Sequence, residues 1–222
     1  MSRQGFSAKR WRNNKWLTFC TQCFIKSVMV YHGFLILLVT WMIYVNASFN
    51  TDPEFEQDIK LVGLISRMLN LAGNVAFVAF AVSVMAWLYS SVSNAAVLGG
   101  RPAYRPYWAV AGFLIPVWWF FRPYQVAEDL WDVYFEGREP PVLVRVWWSA
   151  WLANIMIRIG LWVLPYGSLS IKATQMIEIG NSCLLLASLY CLSEIIRRLY
   201  RAQVRERELR KIARRKGQAG LR

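Results

Sequence analysis

The sequence predicts an all-α integral membrane protein with four transmembrane helices, a re-entrant or interfacial helical hairpin, and both termini in the cytoplasm. Three observations lead to this fold class. Hydrophobic residues make up 56% of the 222 residues and charged residues only 18%, below the roughly 25% that is typical of soluble domains. Four apolar runs are long enough to cross a bilayer. The net charge of +13 fits a chain whose flanking Lys and Arg residues stay on the cytoplasmic side.

The first two crossings are predicted at residues 27–45 and 61–89. The basic N-terminus, residues 1–26, contains no acidic residue and is expected inside. The first run exceeds the 7–15 apolar residues of a signal peptide, so an uncleaved helix is expected. An acidic external loop, residues 46–60, separates the two crossings, and a cytoplasmic loop, residues 90–105, follows them.

The last two crossings are predicted at residues 142–164 and 174–196, joined by an external loop at residues 165–173. The tail, residues 197–222, carries eleven Lys or Arg residues against two Glu. Moving it across the membrane would contradict the positive-inside rule, so both termini are expected inside and the number of crossings must be even.

Residues 106–141 are therefore predicted not to cross. The apolar part, residues 106–121, would reach about 24 Å as a helix against a hydrocarbon core of about 30 Å. Pro116 is expected to bend it, and Pro123 to open a second helix. That helix places Val126, Ala127 and Leu130 on one side and acidic residues on the other, as in interfacial helices. The net acidic stretch 122–141 would also suit the outer side, but the basic tail outweighs it.

The central part of the chain carries a set of aromatic, proline and polar residues that is densest between residues 89 and 151. The set comprises Tyr89, Asn94, Leu98, Gly99, Pro106, Trp108, Pro116, Arg122, Pro123, Tyr124, Gln125, Glu128, Leu130, Trp131, Trp147, Trp148 and Trp151. This pattern, within roughly residues 60–200, resembles the bacterial multi-pass membrane proteins grouped as domain of unknown function 4328. The resemblance implies a bacterial inner-membrane protein and assigns no activity. Trp118-Trp119 departs from the small polar residue often found at that turn, so no shared ligand contact is inferred there.

Polar residues fall at matching depths in three predicted crossings, where charged side chains point to functional sites. Arg67, Arg158 and Glu178 are each expected within about 10 Å of the outer surface. They are predicted to pair internally or to hold an anionic head group or small acid. The simpler alternative is that the arginines reach the outer interface and the asparagines only tie helices together. The predicted cluster is Arg67, Asn70, Asn74, Asn154, Arg158, Glu178 and Asn181.

The tail is predicted to form a basic amphipathic helix on anionic lipids of the cytoplasmic leaflet, where each Lys or Arg contributes about 1 kcal/mol. An ordinary positive-inside anchor explains the same residues. Nucleic-acid binding is not expected, because Tyr200 is the only aromatic residue of the tail. The predicted lipid-anchoring residues are Arg197, Arg198, Arg201, Arg205, Lys211, Arg214 and Arg215.

Twelve tryptophans exceed what aromatic belts at the two interfaces explain. The surplus is predicted to form a docking face for another membrane subunit, or for lipid or pigment, because interfaces favour exposed aromatic area. The predicted docking residues are Trp108, Trp118, Trp119, Trp131, Trp147, Trp148 and Trp151.

Catalysis is not expected, and no catalytic residue is predicted. Hydrolase and nucleotide-binding motifs are missing from the sequence. His32 is the single histidine, and Cys20 and Cys23 form half of a zinc motif, so neither a metal nor a cofactor is expected. The first functional hypothesis is a non-catalytic accessory subunit that docks on a larger membrane complex through the aromatic face. The alternative is a small binding or transport protein that handles an anionic lipid or solute at the outer Arg/Glu/Asn cluster.

Overall fold

A computed structural model describes residues 11–48, 55–135, 142–165 and 168–219. Within these ranges the chain forms α-helices and no strands. The helices are α1 (Lys15–Ser48), α2 (Phe55–Val97), α3 (Pro106–Leu114), α4 (Pro116–Trp119), α5 (Arg122–Phe135), α6 (Val142–Val163) and α7 (Ile171–Ala219).

Four of these helices are long and apolar enough to cross a membrane by length and composition. The helix stretches that contain such an apolar span are Lys15–Tyr44, Arg67–Val97, Val142–Val163 and Ile171–Lys216. The predicted fold class, all-α with four membrane-spanning helices, is therefore confirmed. The cytoplasmic placement of the termini remains a prediction.

Three of the long helices extend well beyond the crossings predicted from hydropathy. Of the predicted loop at residues 46–60, residues 46–48 belong to α1 and residues 55–60 to α2, while residues 49–54 lie outside the described residues. Hydropathy identifies the residues that would lie in hydrocarbon. The helices continue beyond them because Lys, Arg, Glu and Gln on either side also favour helix. Residues 1–10, 136–141, 166–167 and 220–222 of the predicted segments also lie outside the part that the structure describes.

Hydrogen bonds between the long helices fix their directions. From α1, Thr21 donates to the carbonyl of Ser83 (3.3 Å) and Tyr31 to Asn70 (3.4 Å), so α1 and α2 run antiparallel. Gln22 donates to the carbonyl of Ser193 (2.9 Å), and the ring of His32 pairs with Ser182 (3.3 Å), so α7 is also antiparallel to α1. α6 packs along α7 in the opposite direction.

In the part of the chain that the structure describes, the backbones of α2 and α6 do not pack directly against each other, and the side chains of Phe77 and Trp151 meet across the gap. α1 packs against α2 and α7, and α6 packs against α7, but no Cα atoms of α2 and α6 lie within 8 Å of each other among the described residues. α5 contacts α2, α6 and α7, and α3 contacts α2. The α3–α5 segment therefore bridges the gap at one end and leaves the other end free.

Glycine and proline set the boundaries of this bridging segment. Gly99 has a φ of 71° and ends α2 with the Gly100 N–H donating to the Ala95 carbonyl (3.0 Å), a Schellman-type termination. Pro106 occupies the first turn of α3. Pro116 ends α3 rather than only bending it, because the residue before a proline is forced into an extended conformation, as Ile115 is (φ −93°, ψ 116°).

The segment folds back on itself as a hairpin. α3 has nine residues and is about 14 Å long, less than half of the hydrocarbon core. A Cβ atom added to buried Gly112 would lie 2.5 Å from the Cβ of Arg122, so α3 and α5 meet closely at this point. The guanidinium of Arg122 covers the ring of Trp118 at 5.2 Å. The apolar side predicted for α5 is buried, with Val126, Ala127 and Leu130 at 0–3% exposure.

Candidate functional site

A cavity of about 780 Å³ lies between the four long helices and the tip of the hairpin. This volume is within the range of small-molecule sites, roughly 300–1,000 Å³. The helix directions divide its lining into two ends. At the polar end lie Asn70, Arg158 and Glu178, and at the hairpin end lie Leu114 and Trp119.

Five of the seven residues predicted as a charged and polar cluster line this cavity. Asn181 adjoins it through Asn154, whereas Arg67 is exposed and lies outside the linings of the described cavities. Helix spacing placed the residues on shared faces of α2, α6 and α7. Packing of α1 against α2 and α7, and of α6 against α7, then brings these three faces to one cavity. The five lining residues are Asn70, Asn74, Asn154, Arg158 and Glu178.

The buried pair Asn154 and Asn181 ties α6 to α7. The Asn154 side-chain N–H donates to the Asn181 side-chain oxygen (2.8 Å) and to its backbone carbonyl (3.0 Å). Both residues are at most 5% exposed. This pair fixes one wall of the cavity, which agrees with the simpler reading of asparagines as ties between helices.

Sequence reasoning missed two lining residues on α1, Tyr31 and His32. The His32 ring pairs with Ser182, and the Tyr31 hydroxyl donates to Asn70. Gly73 makes room for Tyr31, because a Cβ atom there would overlap the phenol ring. Two adjacent polar residues in an otherwise apolar run were the available signal.

Arg158 and Glu178 are the two Arg, Lys, Asp or Glu residues in the lining, and they do not form an ion pair with each other. Among the described residues, no carboxylate oxygen lies within 4.0 Å of the Arg158 guanidinium, so the predicted ion pair is not formed. The polar end therefore presents a guanidinium and a carboxyl group that do not contact each other.

The hairpin end of the cavity is apolar and aromatic. Phe77 of α2 stacks on Trp151 of α6 with ring centroids 5.9 Å apart and planes at 7°. Leu114 and Trp119 approach from the hairpin, and Leu185 from α7. The cavity is thus amphipathic along its length.

The predicted docking face is not a single exposed surface. Trp131, Trp147 and Trp148 are 3–7% exposed, and the Trp148 indole N–H donates to the carbonyl of Phe120 (2.9 Å). Trp119 and Trp151 line the cavity. These indoles pack the hairpin against α6, since burying large aromatic surfaces contributes more than exposing them.

The two remaining predicted docking residues lie on the hairpin. The Trp108 and Trp118 rings pack together at 4.8 Å, and Trp108 is 37% exposed. The accessory-subunit hypothesis stays a prediction. Fewer of the predicted tryptophans are exposed for docking than the sequence predicted.

The basic tail continues α7 as one unbroken helix. No proline interrupts the sequence from Ile171 to Ala219, and ion pairs such as Glu194–Arg198 (2.8 Å) and Glu206–Arg210 (2.6 Å) support the helix. The first part of the tail packs on protein, with the Gln203 oxygen accepting from Asn14 (3.0 Å). The seven residues predicted to anchor lipid are all exposed, and their contact with lipid stays a prediction.

The acidic side of α5 makes local contacts. Asp129 accepts a hydrogen bond from the Ala103 N–H (2.9 Å), and the Tyr124 hydroxyl donates to Glu128. That hydrogen bond raises the pKa of Tyr124, and burial raises the pKa of Tyr134. These contacts hold α5 to the loop before α3.

Metal ligation has no visible basis in the described ranges, where no group of three His, Cys, Asp or Glu side chains comes together. Cys20 and Cys23 are exposed free thiols. The Ser182–His32 pair resembles part of a hydrolase site, but no carboxylate among the described residues hydrogen-bonds the imidazole to orient it.

In a comparison with protein families, the family described as "Domain of unknown function (DUF4328)" matches residues 51–201. The match covers more than half of the chain, so the chain belongs to this family, as its sequence pattern predicted. The matched range includes the hairpin, α6 and most of the cavity lining, but not Tyr31 and His32. Neither the curated proteins nor the solved structures gave a match.

Proposed function

We propose that this multi-pass membrane protein of the DUF4328 family is a non-catalytic binding protein for one amphipathic molecule with an anionic head group. The observation that carries the proposal is the guanidinium of Arg158, which has no carboxylate partner among the described residues, at the polar end of a cavity whose other end is apolar. The proposal includes the location that the sequence pattern implied, a bacterial inner membrane.

The charge argument concerns the cost of an uncompensated cation. Arg158 is exposed on the cavity side of α6, and a cation at this position in a bilayer is stabilised by a partner of opposite charge or by hydrogen bonds. Arg158 has no carboxylate partner within 4.0 Å among the described residues. A phosphate or carboxylate head group supplies that partner, and the planar guanidinium suits bidentate contact with either.

The shape argument concerns the rest of the ligand. Polar side chains follow Arg158 inward on neighbouring helices, and beyond them the lining becomes apolar at Phe77 and Trp151. A free inorganic anion would leave this apolar end without a partner. An acyl chain fills it.

Lipid binding by two matched variants tests the proposal. Arg158→Gln removes the proposed partner, while Arg67→Gln removes an arginine that was predicted at similar depth but lies outside the cavity lining. The detergent-purified protein is titrated with short-chain phosphatidylglycerol and followed by native mass spectrometry. Loss of a charge-assisted contact of about 1.5–3 kcal/mol predicts about a tenfold to hundredfold weaker binding for Arg158→Gln.

Arg67→Gln should bind like the wild-type protein. Equal affinity of the two variants, or weak binding by the wild type at every phosphatidylglycerol concentration, would overturn the proposal. Thermal unfolding in the same detergent identifies any loss of binding that follows from loss of fold.

A further inference from the structure

A second groove, of about 660 Å³, lies on the other side of the hairpin tip from the cavity. It forms where the residues before α1 meet the second half of α2 and the face of α3. Its mouth is polar, with Arg12, Asn13 and Ser90, and its interior is apolar, with Leu17 and Val82. The groove thus repeats the amphipathic layout of the cavity at the opposite end of the bundle.

The cation at the mouth of the groove is held in place by the fold. The Arg12 N–H donates to the side-chain oxygen of Asn94 (2.9 Å), and the Asn94 side-chain N–H donates to the Arg12 carbonyl (3.0 Å). Asn94 is fully buried. The Arg12 guanidinium covers the ring of Tyr89 at 4.9 Å, and no carboxylate of the described chain lies within 4.0 Å of it.

Two side chains line both spaces, Met85 of α2 and Leu114 at the end of α3. Leu114 is 68% exposed because open space lies on more than one side of it. It is followed directly by the break at Ile115 and Pro116, where the backbone leaves the helix. Met85 is unbranched and adapts its shape more readily than other apolar residues. A thin, deformable partition therefore separates the cavity from the groove.

We propose that the cavity and the groove are two halves of one passage by which a phospholipid-like amphiphile with an anionic head moves between the leaflets. Met85 and Leu114 form the partition that opens for it. The proposal rests on the function proposed for the cavity. It involves no energy source, so the protein lets the lipid equilibrate in both directions.

The placement of polar groups explains how such a passage would work. A phosphate head that crosses hydrocarbon unaided loses its hydrogen bonds, which is the main cost of spontaneous lipid transfer. Arg158 and Arg12 stand at the two ends, and the hydrogen-bonding side chains of Tyr31 and His32 lie at the Arg158 end. The head group then crosses the apolar stretch at Met85 and Leu114 without polar contacts, so this stretch sets the rate of transfer.

A lipid-transfer assay in vesicles tests the passage. The full chain is reconstituted into phosphatidylethanolamine–phosphatidylglycerol vesicles that contain phosphatidylglycerol with a fluorophore on its acyl chain. Dithionite, which does not cross the membrane, then bleaches the outer leaflet. In empty vesicles the inner leaflet stays fluorescent, whereas wild-type protein should let dithionite bleach all of the lipid.

The variants probe the partition directly. Leu114→Trp and, separately, Met85→Trp enlarge its two side chains and should return transfer to the rate of empty vesicles. Val117→Trp is the matched control, since Val117 lies on the same hairpin with 70% exposure and lines neither space, and it should transfer like the wild type. Leu114→Ala shrinks the partition and should speed transfer, which guards against a Trp variant that fails to fold.

The outcomes separate this inference from the function that it rests on. If wild-type protein binds phosphatidylglycerol through Arg158 but bleaching stops at the outer leaflet, the passage is refuted and the binding function stands. Transfer that proceeds equally in Leu114→Trp, Met85→Trp and Val117→Trp refutes the partition. Absence of binding and of transfer overturns both proposals.

Discussion

Gly112→Ala tests whether the hairpin is closed as tightly as its geometry indicates. In a helix, Ala is favoured over Gly by about 1 kcal/mol. At Gly112, however, the new Cβ would lie 2.5 Å from the Cβ of Arg122, whereas carbon atoms pack best at about 3.5–4.0 Å. α3 and α5 must therefore separate by about 1 Å at this point. Because the obstructing atom is attached to the α5 backbone, with the Cα at 3.8 Å, no side-chain rotation relieves the overlap.

Gly160→Ala and Gly180→Ala are the matched controls, since an added Cβ meets no atom within 4 Å at either position. All three substitutions gain the same helix preference, so the difference between them isolates the overlap. Overpacking costs about 1–3 kcal/mol, and we expect Gly112→Ala to be less stable than either control by that amount. Unfolding in mixed micelles, followed by tryptophan fluorescence, measures it. Equal stabilities of the three variants would mean that α3 and α5 do not meet at Gly112.

Three further predictions concern the cavity and the groove. Asn154→Ala and Asn181→Ala should each lower the free energy of unfolding by about 1–2 kcal/mol, because each removes hydrogen bonding between α6 and α7 and transmembrane hydrogen bonds average about 0.6 kcal/mol. The double variant should lose little more than either single variant, because the two residues share these bonds. Additive losses in a double-mutant cycle would contradict the shared bonds. Glu178→Gln should tighten binding of short-chain phosphatidylglycerol by removing repulsion near Arg158, and a titration that shows no change would place the head group elsewhere. Asn94→Ala should cost about 1–3 kcal/mol and speed hydrogen exchange at the Arg12 amide, since two Arg12 backbone groups lose their partner; slow exchange would show that other contacts hold this segment.

The helical architecture could be predicted from the sequence because its determinants are local. Apolar run length identifies the four crossings, and prolines mark where the hairpin elements begin and end, as Pro106 and Pro116 do. The helix ends were predicted less well. Hydropathy reports where hydrocarbon contacts stop, and the backbone of α7 continues in helix beyond that point.

The candidate site was predictable only in part, because sequence shows which residues share a helix face but not which faces meet. Helical spacing groups Asn70 with Asn74, and Asn154 with Arg158, on single faces, but which faces meet depends on packing between helices. Tyr31 and His32 could not be assigned to the cavity until the direction and rotation of α1 were known. Composition shows how many tryptophans there are but not which way they face. They were predicted to face outward, whereas Trp147 and Trp148 pack against the hairpin.

The unbroken length of α7 has a mechanical consequence. Because α7 has no break, a tilt at one of its ends moves the other end. Glu178 and Arg210 lie about 48 Å apart along this helix. Each degree of tilt about the Glu178 end moves the far end sideways by about 0.8 Å over that span. A change in the tilt of α7 at the cavity would therefore displace the charged residues near Arg210.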